Sequence, residues 1–203
     1  MNATAGARKL FYFLLLSSLL FSCTQTKKIP ADRLAAWAQQ VNTAGLSNLY
    51  KVDEHVFRSE QPNHKEMLGL KTMGVSTILN LRHVRNDDHK ARRIKLKLEH
   101  VRINTWKISY DELVSATAIL MKTHEPILVH CLHGSDRTGA VIAGYRIIKF
   151  NWTKEEAIKE MIEGGYGFHE KTFPNIVRLL TSMNVEKFKM DVAKSMEGST
   201  SQY

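Results

Sequence analysis

The stretch HCLHGSDRTG, residues 130–139, brings one cysteine and one arginine to a spacing that suits a single bound anion. Five residues separate Cys131 from Arg137, which is enough for a loop to wrap around a tetrahedral group. A cysteine thiolate is a nucleophile, and the planar guanidinium of arginine binds two anion oxygens at once. The pair therefore indicates nucleophilic chemistry on a phosphate-like group.

The residues around this stretch predict the elements that hold it. The apolar run PILV, 126–129, is typical of a buried strand, and TGAVIAGYRII, 138–148, is typical of an apolar helix. A loop that enters a helix N-terminus presents free backbone N–H groups and the positive end of the helix dipole to an anion. The same field stabilises a thiolate. The expected phosphate-binding residues are Leu132, His133, Gly134, Ser135, Asp136 and Arg137.

The residues that flank the loop receive supporting roles. Thr138 is expected to donate its hydroxyl to the thiolate or to assist the departure of the thiolate. His130 is expected to orient the loop by hydrogen bonding rather than to act as a base. Gly134 and Gly139 permit tight turns or a close approach of the backbone.

These residues match a known pattern, H-C-x5-R-[ST]-G, through His130, Cys131, Arg137, Thr138 and Gly139. The stretch thus resembles the signature of the cysteine-dependent protein tyrosine phosphatase superfamily. The resemblance implies a two-step reaction, in which a phosphocysteine forms and water then hydrolyses it. It implies no metal and no other cofactor.

Three further stretches resemble small bacterial dual-specificity-type phosphatases. They are NLYKVDEHVFRSEQP (48–62), GVSTILNLR (74–82) and NWTKEEAIKEMIEGGYGFH (151–169). The likeness covers about residues 45–185, and it implies a central, mostly parallel sheet flanked by helices. It also implies a phosphorylated substrate, either a protein or a small molecule.

The general acid is less clear from the sequence. The family usually takes it from an aspartate after the strand that precedes the signature, and here EHVRIN, 99–104, carries no aspartate at its end. Asp111 is the nearest carboxylic acid, although an acid in the first turn of a helix needs no catalytic role. Asp136, beside Arg137, is the other candidate, and it could also hold a basic residue in place. Both assignments stay open.

Other residues near the expected site have two readings each. His133 contacts the substrate or is a solvated loop residue. Arg58 and Arg82 end predicted strands and contact phosphate or form structural ion pairs, of which the ion pairs are favoured. The segment GGYGFH, 164–169, forms a pocket wall or simply stops a helix. Zinc is not expected, because His130, Cys131, His133 and His169 lack a usual structural zinc spacing.

The first residues resemble a targeting segment. Arg8 and Lys9 precede the apolar run of residues 10–21, and LFSC, 20–23, resembles a lipobox. Residues 1–22 are therefore expected to be a signal peptide, and Cys23 a lipidated N-terminus that anchors an exported bacterial lipoprotein to a membrane. Residues 23–44 follow as a lipidated N-terminus, tether and lead-in, 45–187 as the phosphatase domain, and 188–203 as a loose tail.

The chain is basic, with a formal net charge of +9. Without residues 1–22 it would keep 27 basic and 20 acidic residues, a net charge of +7. This excess favours anionic partners. No aromatic platform accompanies the densest basic run, HKARRIKLKLEH (89–100), so nucleic acid is not an expected partner.

The rest of the pattern alternates strands with helices, which is typical of an α/β domain with a mostly parallel sheet. Strands are predicted at 48–52, 55–59, 75–81, 99–104 and 125–131. Helices are predicted at 61–74, 85–98, 109–124, 137–150, 153–165 and 172–190. Ser109 with Glu112 and Thr153 with Glu156 predict capping boxes at two of the helix starts.

The predicted function is hydrolysis of phosphomonoesters, chiefly phosphotyrosine, phosphoserine and phosphothreonine. Two alternatives stay open: an inositol phosphate or phosphoinositide phosphatase, and a phosphate-binding module with weak catalysis. A thiol-cycling reductase is disfavoured because Cys131 has no resolving cysteine, and the Arg-Thr-Gly ending argues against sulfur transfer.

Overall fold

A computed structural model describes residues 36–198 of the chain. Its strands are β1 Gln39–Gln40, β2 Tyr50–Lys51, β3 Val56–Ser59, β4 Thr77–Arg82, β5 Lys97–Ile103 and β6 Ile127–His130. Its helices are α1 His64–Thr72, α2 Tyr110–Lys122, α3 Asp136–Lys149, α4 Lys154–Glu163, α5 Pro174–Ser182 and α6 Val185–Gly198. Within residues 36–198, no helix is both long and apolar enough to cross a membrane.

The strands form one sheet in the order β1-β2-β3-β6-β4-β5. The pairs β3–β6, β6–β4 and β4–β5 are parallel, and β1 and β2 add an antiparallel edge. The predicted α/β architecture, a mostly parallel sheet flanked by helices, is confirmed. Since β6 lies between two parallel neighbours, its carboxyl end opens at the middle of one sheet edge, where open α/β sheets bind their ligands.

Alternating side chains of the central strand fill two apolar layers. Ile127 and Val129 belong to the larger core, which contains residues of α2, α3, α4, α5 and α6. Leu128 belongs to a smaller core, where it is grouped with Leu70 of α1. This alternation is the period of two that a strand imposes on its side chains. It fixes the register of β6 and thereby the position of the loop that follows.

Both predicted capping boxes are present. The Ser109 side chain accepts from the backbone N–H of Glu112, and the Glu112 side chain accepts from the backbone N–H of Ser109. Thr153 and Glu156 make the same exchange at the start of α4. These local signals therefore placed the helix starts correctly.

The predicted helix at 85–98 is wrong. The segment 83–96 consists of turns, and Arg93 adopts a left-handed backbone with φ of 65°. A helix over 85–98 would place Asp87 in its first turn, where its charge is favourable, but the carboxylate is buried and bonded to His130 and Gln61. The segment therefore buries a carboxylate where an amphipathic helix would bury an apolar face.

The folded unit also extends beyond both predicted ends. Trp37 and Ala38, placed in the lead-in, are buried, and the Ala38 N–H donates to Glu160 Oε1 at 2.8 Å. The segment from residue 188, predicted as loose, is helical to Gly198 because Phe188 and Val192 are buried one turn apart. Cys23, residues 1–22 and residues 199–203 lie outside the described range.

Candidate active site

Cys131 lies directly after the central strand β6, at the carboxyl edge of the sheet. Its side chain is 1% exposed, and within residues 36–198 it forms no disulfide. The following residues turn into α3, which begins at Asp136. The thiol therefore lies at the base of a strand–loop–helix junction, as the sequence predicts.

The start of α3 is not capped by a side chain. Ser135 occupies the capping position, but its hydroxyl donates to the carbonyl of Tyr166 at 2.7 Å. The N–H groups of the first helical turn therefore have no side-chain acceptor from the capping residue. A bound anion would take that place, favoured also by the helix dipole.

Gly134 is required by the turn of this loop. Its φ is 72°, and a Cβ atom there would lie 2.5 Å from the backbone carbon and oxygen of Ser59. The loop thus packs directly on the end of β3, which no larger residue would permit. Gly139 permits a similar approach in α3, because a Cβ atom there would lie 2.8 Å from Met161 Cγ.

Arg58, the third residue of β3, lies beneath the loop. It is 1% exposed, its Nη2 donates to the carbonyl of Gly134 at 2.8 Å, and its guanidinium lies 3.7 Å from the centroid of the Tyr166 ring. Burial lowers the pKa of Arg58, and the charges of Tyr166, Glu160 and Cys131 partly offset this effect. Arg58 is therefore a buried cation that holds the loop by a hydrogen bond. Within residues 36–198 it forms no ion pair, and its burial does not fit a phosphate contact at the rim of the site.

The side chains of Arg137 and Thr138 have unused polar atoms. Within the described part of the chain, Arg137 Nε and Thr138 Oγ1 are buried and have no hydrogen-bond partner. Buried polar atoms are normally satisfied, so both are available to a phosphate or to the thiolate. This is the role that the sequence predicts for them.

Arg82 ends β4 next to this site. Its Nη1 donates to Gln61 Oε1 at 3.1 Å. Within residues 36–198 it forms no ion pair, so the favoured prediction of an ion pair is wrong. Burial lowers the pKa of Arg82, and the positive charges of Arg137 and Arg85 lower it further, while Asp87 and Cys131 oppose the shift. Arg82 is thus close enough to Arg137 and Cys131 to share their electrostatic environment.

His130 is held from both sides. Its Nε2 lies 2.8 Å from Asp87 Oδ2, and its Nδ1 lies 2.9 Å from the carbonyl oxygen of Cys131. Asp87 Oδ1 accepts from Gln61 at 2.8 Å, and the Gln61 N–H donates to the carbonyl of Leu132 at 3.1 Å. Asp87 is the functional residue that sequence reasoning missed, because its partner lies 43 positions away.

We expect the Asp87–His130 contact to appear in the pH dependence of stability. Burial raises the pKa of Asp87, but the hydrogen bond and charge of His130, with the Gln61 bond, outweigh it and hold that pKa below its ordinary value. The stabilisation is therefore complete above the unfolded-state pKa of about 3.9 and is lost as pH falls through the folded-state value. Asp87→Asn should lower the free energy of unfolding at pH 7 by about 1–3 kcal/mol, and the fall below about pH 4 should become shallower.

Chemical denaturation across pH 2–7, with Asp88→Asn as the matched control, measures this effect. Asp88 is the exposed neighbour of Asp87, and its carboxylate accepts a hydrogen bond from the side chain of Asn86. A control that changes as much as Asp87→Asn would show that net charge, and not the buried contact, sets the pH dependence.

The segment 164–169 packs against the loop from the other side. The Asp136 carboxylate accepts from the backbone N–H of His169 at 2.9 Å, and its Oδ2 lies 3.0 Å from His169 Nδ1. A cavity of about 430 Å³ beside them is lined in part by His133, Ser135, Tyr166 and His169. The predicted pocket wall is therefore present. His133, which also lines this cavity, and its neighbour Leu132 are exposed.

Asp111, the other candidate acid, lies in the exposed first turn of α2. Within residues 36–198 its carboxylate has no hydrogen-bond or ion-pair partner. The residue that directly follows β5 is Asn104, whose side chain accepts from the N–H of Trp106. The two carboxylates thus differ: Asp136 is buried and fixed, whereas Asp111 is exposed and unconstrained.

Comparison with known proteins identifies the family to which a chain with this geometry belongs. The sequence profile of the tyrosine phosphatase family matches residues 45–191. The chain belongs to the tyrosine phosphatase family. The match includes the whole of the loop 131–137 and every residue that the structure brings around it.

Individual relatives agree with this assignment. The dual specificity protein phosphatase TpbA of Pseudomonas aeruginosa is 31% identical over 140 residues, which are 68% of this chain and 62% of that protein. A crystal structure of P. aeruginosa TpbA in complex with pTyr superposes with a TM-score of 0.71 at 26% identity, covering 79% of this chain and 98% of the other. The core catalytic domain of a PP-IP phosphatase from S. cerevisiae shares the fold alone, with a TM-score of 0.60 at 21% identity over 73% and 93% of the chains.

Within the described residues, no three His, Cys, Asp or Glu side chains are grouped so that they could hold a metal ion. The histidines once weighed as ligands have other contacts, His130 with Asp87 and His169 with Asp136.

Proposed function

We propose that this member of the tyrosine phosphatase family hydrolyses phosphomonoesters through a phosphocysteine on Cys131. One observation carries the proposal: the buried Cys131 lies below an uncapped helix start, with the unpartnered Nε of Arg137 in the same loop. Arg58 and Arg82 support it, because both lie close enough for the charge of Cys131 to oppose the lowering of their pKa that burial causes, and their cations attract a thiolate.

The proposed reaction has two balanced steps. The Cys131 thiolate attacks phosphorus, the P–S bond forms, the P–O bond breaks, and the leaving oxygen takes a proton from a general acid. Water then attacks phosphorus and gives a proton to the carboxylate that the first step left behind, the P–S bond breaks, and inorganic phosphate and the thiolate are released. Arg137 and the N–H groups of the loop hold the transferred oxygens in both steps.

The proposed substrates are phosphotyrosine, phosphoserine and phosphothreonine in proteins. The relative from P. aeruginosa is a dual specificity protein phosphatase, and a crystal structure of TpbA contains pTyr. The chain spans 62% of that relative's length. The family match at residues 45–191 includes the strand, loop and helix that would carry the chemistry.

A panel of substrates tests this function on the full chain. Phosphate release is measured with an aryl phosphate, with peptides that carry each of the three phosphorylated hydroxyls, and with inositol hexakisphosphate. We expect steady turnover of the peptides and a covalent phosphoprotein after rapid acid quench. Preferential turnover of the inositol phosphate would favour the small-molecule alternative, and a single burst without turnover would favour a phosphate-binding module.

The proton donor is proposed to be either Asp111 or Asp136. The hydrogen bonds from His169 support a positioning role for Asp136, which leaves Asp111 as the freer carboxylic acid. Loss of the donor slows alkyl phosphates more than aryl phosphates, because an alkoxide needs its proton more. Asp111→Asn and Asp136→Asn, compared on both leaving groups, identify the donor, and equal losses on both would exclude the residue tested.

We also propose that the protein is an exported lipoprotein anchored to a bacterial membrane through Cys23. The basic Arg8 and Lys9, the apolar run after them and the LFSC stretch support this proposal. Metabolic labelling with a fatty acid, compared between the natural chain and Cys23→Ala, tests it. Equal labelling, or none, would overturn it.

A further inference from the structure

A second concentration of charge lies beside the phosphate loop, in the turn segment 83–96 between β4 and β5. A cavity of about 510 Å³ there is lined by His64, His89, Lys90, Arg92 and Arg93. It includes no residue of the phosphate loop 131–137. The proposed reaction does not use this basic cavity.

The cations of this segment are not neutralised by partners. Within residues 36–198, the side chains of Arg85, Lys90, Arg92 and Arg93 form no hydrogen bond or ion pair. Burial lowers the pKa of Lys90, Asp87 opposes this effect, and the positive charges of Arg82 and Arg85 lower it further. Like charges are held together here at a cost that an anion would remove.

Arg82 connects the basic cavity electrostatically with the active site, and its Nη1 donates to Gln61, whose backbone N–H donates to Leu132 of the phosphate loop. Arg82 interacts electrostatically with Arg137 and Cys131 on one side, and with Arg85 and Lys90 on the other. Asp87 is buried and bonded to His130, and the exposed Asp88 is the other carboxylate of the segment. The segment is nevertheless basic, since its cations are Arg85, Lys90, Arg92, Arg93 and Lys95. A positive surface therefore runs from the phosphate loop to Arg93.

The backbone also presents these side chains outward. Arg93 holds a left-handed conformation with φ of 65°, which is uncommon for a residue with a Cβ atom. Arg92 and Arg93 are exposed, whereas their neighbour Ala91 is buried. The strained backbone at Arg93 thus accompanies two guanidinium groups that are exposed at the surface.

We infer that the basic cavity binds acidic residues that flank the phosphorylated residue of a protein substrate. An extended chain that occupies both cavities would pass over Arg82 and Arg85, and its successive side chains would meet cations along the way. Because the proposed substrates are phosphorylated proteins, the anions that reach this cavity would be carboxylates of the same polypeptide, on residues near the phosphorylated one. This inference rests on the phosphatase activity proposed above and names the class of its substrates.

Paired phosphotyrosine peptides test the inference. One carries four glutamates before the phosphotyrosine, one carries four after it, and the matched peptides carry glutamine at those positions. We expect one acidic peptide to have the higher kcat/KM, through a lower KM, and the advantage to shrink with added salt. The double variant Arg92→Glu with Arg93→Glu should lower kcat/KM for that peptide about tenfold or more, while the value for an aryl phosphate changes less than about twofold.

A charge-matched control separates this site from net charge. Lys122 and Lys149 are exposed at the C-terminal ends of α2 and α3. Since α3 begins at the phosphate loop, its last residue lies about 20 Å away. The double variant Lys122→Glu with Lys149→Glu changes the net charge equally and should leave the peptide preference intact. Equal losses in both double variants would overturn the inference.

Binding measurements keep the inference testable without turnover. Fluorescence anisotropy of the same labelled peptides is measured with the full chain carrying Cys131→Ser, with and without the two reversals at Arg92 and Arg93. Tighter binding of an acidic peptide, lost on reversal, supports the inference even if phosphate release fails. Equal affinity for acidic and neutral peptides would overturn the inference. It would also be overturned if the two reversals lowered the affinity for inositol hexakisphosphate or for anionic vesicles but not for the acidic peptides. Absent aryl phosphate turnover would instead overturn the proposed function.

Discussion

Replacing Cys131 with serine is expected to lower steady phosphate release by on the order of 10⁴-fold or more, because the chain would lose its nucleophile. The substitution exchanges sulfur for oxygen at a site that is 1% exposed, so the packing of β6 and of the loop should persist. Phosphopeptide affinity should persist as well, since Arg137 and the helix start are unchanged. Phosphate release and peptide binding, measured on one preparation, check both parts.

The control for Cys131→Ser is Ser135→Ala in the same loop. Ser135 donates to Tyr166, so its loss should weaken the loop without removing the reacting atom. Turnover that survives in Cys131→Ser at the level of Ser135→Ala would place the nucleophile elsewhere. Loss of binding together with turnover would mean that the thiol holds the loop in shape and that its chemical role is unproven.

The local sequence was enough to predict the loop. The strand run, the cysteine, the glycine at 134 and the apolar helix are contiguous, so each signal reinforces the next within about twenty residues. The structure agrees in detail, since Gly134 has the positive φ and the close backbone contact that exclude a side chain. Local signals that agree with the global fold are the ones most safely read from sequence.

The surroundings of the loop depend on contacts that no local pattern reveals. Asp87 lies 43 positions before His130, and His169 lies 33 positions after Asp136. Asp87 even misled the prediction, because an acid ahead of basic residues also favours a helix start. Its burial against His130 was decided by the pairing of β4 with β6.

The ends of the folded unit were mispredicted for the same reason. The capping of α4 was visible in the sequence, but the contact between Ala38 and Glu160 spans 122 positions. Phe188 likewise packs in the large core, where its ring meets that of Tyr110 at a centroid distance of 6.0 Å. Tertiary packing therefore extended the fold where composition indicated a tether and a tail.

The sheet order explains how one loop acquires so many cations. Arg58 lies on β3, Arg82 ends β4, and Arg137 follows β6, which lies between those two strands. Parallel neighbours bring their carboxyl ends to one edge, so three arginines that are distant in sequence surround one cysteine. The cost is a site that repels its own charges: burial is the largest cause of the lowered pKa of Arg82, and the positive charges of Arg137 and Arg85 lower it further.

Replacing Arg137 with methionine is expected to lower kcat/KM by roughly 10³-fold, because the bidentate clamp on the transferred phosphate is lost. The effect on stability should have the opposite sign or be absent. Arg137 Nε is buried without a partner within the described residues, and such an atom costs about 1–3 kcal/mol. Removing it, and the repulsion that it exerts on Arg82, should leave the free energy of unfolding unchanged or raise it by about 1 kcal/mol.

Urea denaturation and aryl phosphate kinetics on the same variant measure the two effects, and Arg178→Met is the control. Arg178 is an exposed arginine on α5, so its loss should change neither quantity by much. Inorganic phosphate should raise the melting temperature of the natural chain and of Arg178→Met, but not of Arg137→Met, because a ligand stabilises only the state that binds it. Marked destabilisation of Arg137→Met would show that Arg137 holds the loop together, and its activity loss would then be structural. An active and stable Arg137→Met would instead move the phosphate clamp to Arg82, which is more exposed than Arg58, the third arginine around Cys131.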